Sequence, residues 1–432
     1  MDTQDQSPRA PQPDSATPSS TPAAVVAPAP TPSRRPLLTY AILGGAGALA
    51  LWAATALLPR PPIAPPVEPP RTVLVPTPPA VATPPATRPQ VDVVFVLDTT
   101  GSMSGLIDGA KRKIWEMARY MAQGQPAPDL RIGLVAYRDV GDEYVTKFFD
   151  LTDDLDGVYQ NLSSFSAGGG GDTPEHVGKA LHDAVHRASW STQRNALKLI
   201  YLVGDAPPHT DYNDGINHRT VAQQARERGI RINTVRCGND ETTRVAWMDI
   251  ASRGGGEFSS IEQSGGMAET HTPFDGELAR LNRALTETAM PYGSAEKRSS
   301  VLSKAKHNLE APAAAQAERA GWYGLMGSRG RSAAVSEGDL LDDVDNRRVE
   351  LKNIAPAALP EELRTLNAEE QTRALAKRKA ERGEILNQIN AMSAKRDAYL
   401  RTQAAAAPPR ASFDGHVRES LKKQAADVGL AY

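Results

Sequence analysis

The amino-acid sequence predicts an α/β domain whose mostly parallel sheet is covered by helices on both faces. The runs VDVVFVLD (91–98) and NALKLIYLVGD (195–205) are largely apolar, which is typical of strands buried on both faces. Segments with apolar residues at helical spacing stand between the predicted strands. Because strands that alternate with helices pair in parallel through crossover connections, we expect this architecture from about residue 91 to residue 292.

The predicted elements follow one another in a regular order. Strands are expected at 91–98, 131–140, 145–152, 195–205, 231–238 and 257–261. Helices are expected at 106–123, 154–165, 175–189, 218–229, about 241–253 and 275–290. The fourth of these helices ends at Gly229, a residue type that favours helix termination. Open α/β sheets bind ligands beyond the carboxyl ends of their strands, so a site is expected at that edge.

The N-terminal part of the chain has a different composition. Residues 1–36 are rich in Pro, Ala, Ser and Thr, which predicts a disordered tail. Residues 37–58 carry no charge and are long enough to span a bilayer as a helix, so we expect a single-pass membrane anchor. A cleaved signal peptide is the main alternative, although its apolar region would be shorter. A buried helix of a soluble domain is disfavoured because the segment has no polar face.

A proline-dense linker, residues 59–90, follows the predicted anchor and should act as an extended stalk. Arg34 and Arg35 precede the anchor, whereas Arg60 and Arg71 follow it at wider spacing. The positive-inside rule then modestly favours a cytoplasmic N-terminus. The α/β domain is accordingly expected to be extracytoplasmic, in the cell envelope.

The C-terminal region, residues 293–432, is predicted to be mainly helical. Helices are expected at 294–311, 360–403 and 412–430, and a short extended segment is expected at 338–354. An interrupted apolar stripe is formed by Leu363, Leu366, Leu375, Ile385, Ile389 and Met392. The stripe leaves open a coiled-coil interaction arm, but its irregular repeat favours packing onto the α/β domain.

Charge and cysteine content exclude several classes of function. The chain of 432 residues has 49 basic and 51 acidic residues, and its net charge of −2 gives no overall attraction for nucleic acid. Its one cysteine, Cys237, excludes an intramolecular disulfide and any metal site built from several cysteines.

Oxygen-bearing side chains gather where the first predicted strand ends. In DTTGSMS, Asp98, Thr100 and Ser102 occupy alternating positions directly after the apolar run. The glycine-rich segment SAGGGGDTPEH contributes Thr173, and Asp205 ends the strand 195–205. Carboxylates and hydroxyls, without sulfur or imidazole, select Mg²⁺, Mn²⁺ or Ca²⁺. We therefore predict a divalent-cation site, with Mg²⁺ as the expected ion.

The motifs DTTGSMS, GGGGDTPEH and YLVGDAPPH, in this order on an alternating α/β pattern, resemble those of the von Willebrand factor A domain family. The resemblance covers about residues 91–292 and implies a Rossmann-like, doubly wound sheet with one antiparallel edge strand. It also implies that Asp98, Thr100, Ser102, Thr173 and Asp205 form a metal-ion-dependent adhesion site, which binds partner proteins through the metal. Thr100 stands where serine is commoner in the family and keeps the hydroxyl ligand. The DTTGSM variant is also similar to A domains found beside α-kinase domains, but the sequence has no kinase signature.

Two enzyme interpretations are weaker. FVLDTTGS resembles the strand-end motif of haloacid-dehalogenase-type phosphatases, but Thr100 replaces the carboxylate that would act as general acid. HDAVH (182–186) resembles the zinc-hydrolase motif HExxH, with Asp183 in the glutamate position and no third ligand at a recognisable spacing.

The expected function is therefore binding without catalysis. A membrane-anchored domain would use the open coordination position of its cation to recruit an acidic side chain of a partner protein. In the alternative interpretation, the metal only stiffens the loops and the C-terminal helices form the interaction surface.

Overall fold

A six-stranded sheet stands at the centre of the computed structural model, which describes residues 88–171, 173–267, 270–331, 333–406 and 411–432. Its strands are β1 (Gln90–Asp98), β2 (Asp129–Tyr137), β3 (Thr146–Thr152), β4 (Leu197–Gly204), β5 (Ile230–Cys237) and β6 (Gly255–Ile261). They lie in the order β3-β2-β1-β4-β5-β6, and only β2 and β3 pair antiparallel. The predicted mostly parallel sheet is confirmed, and its antiparallel strand lies at one edge.

The predicted tail at 1–36, the predicted anchor at 37–58 and nearly all of the predicted stalk lie outside the described residues. Within the part of the chain that the structure does describe, no helix is both long enough and apolar enough to cross a membrane. The membrane anchor therefore stays a prediction.

β1 occupies the middle of the sheet because both of its faces are apolar. Every one of its residues is buried, and alternate side chains such as Val94 and Phe95 enter two different cores. The register pairs Asp98 with Tyr137, the last residue of β2, and pairs the residue before Asp98 with Val203 of β4. The carboxyl ends of the three strands therefore meet at one edge.

Helices cover both faces of the sheet, as predicted. On one face lie α3 (Val177–His186), α4 (His218–Glu227) and α5 (Glu241–Gly254), where they pack against the side chains of β1, β2, β4 and β5. The other face carries α1 (Ser104–Ala122), α2 (Leu155–Ser163) and α6 (Asp275–Glu287). Two apolar cores, one on each face, hold the sheet between these layers.

The C-terminal region adds a further helical layer to the second face. It contains α7 (Ala295–Leu309), α8 (Ala313–Ser328), α9 (Leu340–Asp345), α10 (Ala368–Ala406) and α11 (Phe413–Ala425). α8 packs against α1 and α6, α10 packs against α6 and α8, and α11 contacts α1 and β4. The apolar stripe is covered by this chain itself, because its residues are buried or packed against the cores. This packing is the one that the irregular repeat favoured over a free coiled-coil arm.

Two parts of the C-terminal region differ from the prediction. The segment 338–354 is not extended, since it forms α9 and the short 3-10 turn Leu351–Asn353. Asp339 is buried and caps α9, because its side chain accepts a hydrogen bond from the backbone N–H of Leu341. The sequence does not predict a helix at 313–328, where α8 forms. The central turns of α8 are buried all round, so the polar face by which an amphipathic helix is recognised is missing.

Three buried arginines connect the C-terminal helices to one another and to α2 and α6. Each guanidinium contacts a buried carboxylate, and the pairs are Arg319 with Asp156, Arg382 with Asp339 and Arg396 with Asp275. Breaking such a pair leaves one uncompensated buried charge, which is strongly destabilising. The C-terminal helices and the sheet are therefore coupled in stability.

Candidate metal centre

The carboxyl end of β1 carries the first three predicted ligands. Asp98 is fully buried, and Thr100 donates to its Oδ1 twice, from the backbone N–H at 2.9 Å and from Oγ1 at 2.7 Å. The chain then turns through the 3-10 segment Gly101–Met103, which places Ser102 Oγ 3.4 Å from Thr100 Oγ1. The alternating spacing of the motif thus brings all three side chains together.

The other carboxylate oxygen of Asp98, Oδ2, is buried and has no hydrogen-bond partner among the described residues. Burial is the main cause that raises the pKa of Asp98 to about 7; the hydrogen bonds from Thr100 oppose this rise, and the charge of Asp205 adds to it. An unpaired buried carboxylate oxygen costs free energy, which a bound cation would offset. Because Asp98 Oδ2 is buried without a hydrogen-bond donor, the side chains at the end of β1 fit a divalent cation.

Asp205 follows β4 directly and reaches the same edge. Its carbonyl oxygen accepts a hydrogen bond from Thr243 Oγ1 at 3.0 Å, near the start of α5. Its carboxylate Oδ2 accepts a hydrogen bond from Gln263 Nε2 at 2.5 Å. The same amide nitrogen lies 3.3 Å from the carbonyl oxygen of Ser102 and donates to it. The loop after β6 therefore ties Asp205 to the turn after β1.

The glycine-rich loop between α2 and α3 is attached to the ends of both β1 and β4. Backbone hydrogen bonds join Gly168 to Thr99 at 3.1 Å and Glu175 to Pro207 at 3.0 Å. Thr173 lies exposed between these attachments, and within the described part of the chain it makes no hydrogen bond to the other four predicted ligands. The fold thus brings four predicted ligands together and holds the loop of the fifth beside them.

Glu175 is a buried acidic residue that the sequence interpretation does not single out. It is 3% exposed, and its Oε2 has no hydrogen-bond partner among the described residues. Burial raises the pKa of Glu175 to about 9, and the negative charges of Asp98 and Asp139 add to that rise. Its position two residues after Thr173, inside the same motif, is the signal that could have identified it. Gln263 has no such signal, because only folding brings the loop after β6 to this edge.

The donor set of the candidate site mixes carboxylates with hydroxyls. Among the described residues, no three His, Cys, Asp or Glu side chains stand close enough together to hold a metal ion by themselves. A cation at this edge would therefore need hydroxyl oxygens as well as the two aspartates, and Mg²⁺ and Ca²⁺ both accept oxygen ligands of mixed type.

The HDAVH motif has a structural explanation in α3. Asp183 is fully buried and accepts hydrogen bonds from Thr146 Oγ1 at 2.8 Å and from Arg187 at 3.0 Å. The rings of His182 and His186 lie 4.7 Å apart, and Nε2 of His186 is 2.9 Å from the side-chain oxygen of Gln224. Asp183 thus joins α3 to β3, and these contacts occupy the carboxylate that the zinc-hydrolase interpretation would use in place of the glutamate.

Gly204, the last residue of β4, leaves no room for a side chain. A Cβ there would lie 2.3 Å from the hydroxyl of Tyr137 and 3.0 Å from Asp98 Oδ2. We expect Gly204→Ala to lower the free energy of unfolding by roughly 1–3 kcal/mol, because the buried tyrosine cannot move aside. Urea unfolding measures the effect. The matched control is Gly276→Ala in α6, where a Cβ meets nothing within 4 Å; equal stability of the two variants would contradict the close packing.

Comparisons with known proteins find likenesses over the α/β domain. Residues 92–270 match the family model described as von Willebrand factor A domain. Alpha-protein kinase vwkA from Dictyostelium discoideum is 29% identical over 134 residues, which are 28% of this chain and 20% of that protein. Von Willebrand factor A domain-containing protein 7 from Mus musculus is 34% identical over 147 residues, which are 33% of this chain and 14% of that protein.

A solved structure gives a more distant likeness. The crystal structure of the SpRpn10 VWA domain is 13% identical with a TM-score of 0.31, and the match covers 40% of this chain and 88% of that one. The chain spans a fifth or less of the length of the two curated relatives it matches, which are much longer proteins. The resemblance to the von Willebrand factor A domain family is therefore supported over residues 92–270 by the family model and by the names of the relatives.

Proposed function

We propose that this protein is a membrane-anchored binding protein whose A-type domain recruits an acidic side chain of a partner protein through a divalent cation. The observation that carries the proposal is the buried, unpartnered Oδ2 of Asp98 at the carboxyl edge of the sheet. A buried carboxylate oxygen without a hydrogen-bond donor supports the proposal, because a bound cation would compensate its charge. The coarser role, protein–protein interaction, is what the A-domain resemblance supports.

In this proposal, five side chains hold the ion. Asp98 and Asp205 supply negative charge from neighbouring strand ends, and Thr100, Ser102 and Thr173 supply hydroxyl oxygens. Two carboxylates roughly balance a divalent ion, and Mg²⁺ suits such hard oxygens, as do Mn²⁺ and Ca²⁺. When bound, the cation supplies a further coordination position, which accepts the carboxylate oxygen of the partner.

Hydrogen bonds within and around the proposed ligand set hold the two carboxylates in position. Thr100 fixes the orientation of the Asp98 carboxylate with two hydrogen bonds. Gln263 does the same for Asp205 from the loop after β6. Because these contacts are already formed, little further ordering is needed when the ion binds, which favours affinity.

The proposed membrane anchor is the uncharged segment 37–58, with residues 59–90 as the stalk. The distribution of arginines on either side supports an extracytoplasmic A-type domain. A C-terminal reporter that is active only outside the cytoplasm tests this orientation. An inactive reporter in a fusion protein that is produced at a normal level would overturn the envelope location and leave the proposed metal site untouched.

Partner capture with and without chelator tests the proposed function. We expect the full-length chain, immobilised from mild detergent, to retain a distinct set of proteins in Mg²⁺, to lose them in EDTA and to recover them when Mg²⁺ is restored. Capture that is unchanged by EDTA would instead support the alternative in which the C-terminal helices bind the partner. Unfolding curves recorded in both buffers show whether EDTA acts by removing the ion or by unfolding the domain.

A further inference from the structure

The edge of the sheet that carries the candidate metal centre is strongly acidic. It is formed by the loops after β1, β2, β4, β5 and β6 and by the glycine-rich loop, whose described residues are 99–103, 138–145, 205–217, 238–240, 262–267, 270–274, 164–171 and 173–176. These segments contain no lysine and a single arginine. Their partly or fully exposed acidic residues, called the acidic rim from here on, include Asp142, Glu143, Asp205, Asp211, Asp214 and Glu262.

The single arginine, Arg138, is buried and pairs with one exposed carboxylate of this edge, that of Glu143, at 3.6 Å. Arg138 is 5% exposed, and its guanidinium donates to the carbonyl oxygens of Thr99 at 3.1 Å and Ser166 at 2.8 Å. Lys147, at the start of β3, lies 3.9 Å from the ring centroid of Tyr144 and pairs with Glu143 at 3.3 Å. Asp211 and Asp214 pair with histidines, His209 at 2.8 Å and His176 at 3.1 Å. The described residues of these loops contain no lysine and no second arginine to neutralise the remaining carboxylates.

The α/β domain has an excess of acidic residues, 28 against 20 basic residues over 91–292, and this excess is concentrated in the loops at this edge. The net charge of the entire chain is only −2. At the opposite edge of the sheet, where the parallel strands begin, lie the basic residues Arg88, Lys198, Arg228 and Arg231. That opposite edge also carries the exposed acidic residues Asp129, Glu227 and Asp427, so its charges are mixed, whereas the loops at the candidate metal centre hold one arginine and no lysine.

A second observation at this edge points to a ligand. Asp139 Oδ1 and Asp98 Oδ2 are both buried and lack hydrogen-bond partners among the described residues. Asp139 is 5% exposed and Asp98 is fully buried, so neither oxygen is satisfied by bulk water. The acidic residues of this edge thus surround two buried carboxylate oxygens that accept no hydrogen bond from the described residues, while the other oxygen of Asp139 accepts a hydrogen bond from the hydroxyl of Tyr212 and lies 3.3 Å from His209. Val140, 58% exposed beside Asp139, adds an apolar contact surface to the rim.

We propose that this acidic rim, which rests on the proposed metal-dependent function, selects a partner segment in which the metal-binding carboxylate is flanked by lysine or arginine. A lone acidic segment would be repelled by the rim before it reached the ion. A segment with basic flanks is attracted by the rim and delivers its carboxylate to the centre. Rim charges of this kind govern partner choice and association rate, and salt weakens their effect.

Synthetic peptides test the proposal with the full-length chain and Mn²⁺. One labelled peptide carries an aspartate between lysines, a second carries the same aspartate between glutamates, and a third has asparagine in place of the aspartate between lysines. By fluorescence anisotropy at about 50 mM NaCl we expect the first peptide to bind at least about tenfold tighter than the second, with the difference shrinking at about 500 mM. Equal binding of the first two peptides, with Mn²⁺ bound, would overturn the inference and leave the proposed function standing.

Charge removal at the rim provides the matched comparison. The variant with Glu143→Gln, Asp211→Asn and Glu262→Gln neutralises three exposed rim residues and leaves the proposed ligands intact. The control variant with Asp129→Asn, Glu227→Gln and Asp427→Asn removes three exposed charges at the opposite edge. We expect the rim variant to weaken binding of the lysine-flanked peptide about tenfold and the control to leave it unchanged; equal loss in both would refute a specific role for the rim.

A direct Mn²⁺ titration separates this inference from the function on which it rests. If Mn²⁺ does not bind and the asparagine peptide binds as well as the aspartate peptide, the metal-dependent function fails. A salt-dependent preference for peptides with lysine flanks would in that case still support binding by the acidic rim. If Mn²⁺ binds and both aspartate peptides bind equally, only the rim proposal fails.

Discussion

Asp98→Asn should reduce the affinity of the chain for divalent cations by more than about 100-fold, because it removes one of the two proposed anionic ligands. Asparagine has nearly the same shape, so the side-chain oxygen can still accept the two hydrogen bonds from Thr100. Its neutral amide also removes the buried charge beside Asp205. In EDTA we therefore expect the free energy of unfolding to stay within about 1 kcal/mol of the parent.

Isothermal titration of the metal-free chain with Mn²⁺ and with Mg²⁺ measures the affinity, and urea unfolding in EDTA measures the stability. Asp108→Asn is the matched control, since Asp108 is an exposed aspartate in the first turns of α1 and outside the proposed ligand set. The control should keep the parent affinity. If Asp98→Asn also kept it, the candidate metal centre would be refuted, whatever happened to partner capture.

Arg319→Met should lower the free energy of unfolding by about 3–5 kcal/mol, because it leaves the buried carboxylate of Asp156 without its charged partner. The guanidinium donates to both oxygens of Asp156, at 2.8 and 3.0 Å, and to the side chain of Asn282 at 2.8 Å. Both charged residues are almost completely buried, so water cannot replace the lost contacts. Asp156 belongs to α2 and Arg319 to α8, so the loss would loosen the C-terminal helices from the sheet.

Urea unfolding of the full-length chain measures this loss. Arg280→Met is the control, because Arg280 is a fully solvated arginine of α6 that pairs with Glu277 on the surface. Such an exposed pair contributes little to stability, because solvent screens it. The double variant Asp156→Leu with Arg319→Met should recover part of the stability, since neither buried charge is then left unpaired. Equal destabilisation by Arg319→Met and Arg280→Met would show that the buried pair does not couple the two layers.

Much of the sheet follows from local sequence. The apolar runs that become β1 and β4 have no polar face, so a central position in the sheet is the arrangement that hides them from water. Their carboxyl ends then lie side by side, which places Asp98 beside the residue that follows β4. The hydroxyls of Thr100 and Ser102 are within the same short turn, so their proximity to Asp98 depends only on neighbouring residues.

Long-range features were not predictable in this way. α8 is buried on all sides against α1, α6 and α10, so its sequence lacks the periodic polar face that identifies a helix. Gly324 inside α8 would argue against a helix, yet a Cβ there would lie 2.5 Å from Asn390 of α10, so the glycine permits close packing. α9 depends on the cap from Asp339, which is itself held by Arg382 from far along the chain.

The sequence by itself determined the alternation of strands and helices and the edge of the sheet where the proposed metal ligands lie. It also identified four oxygen-bearing side chains that meet at that edge, because these features depend on short apolar runs and on turns of a few residues. Only the tertiary structure decided that Oδ2 of Asp98 is left unpaired, that Glu175 is buried nearby and that Gln263 holds Asp205. Burial and pairing of charges arise from segments that are distant in the chain and meet only on folding. The acidic rim has the same origin, since its residues come from separate loops that the parallel strands collect at one edge.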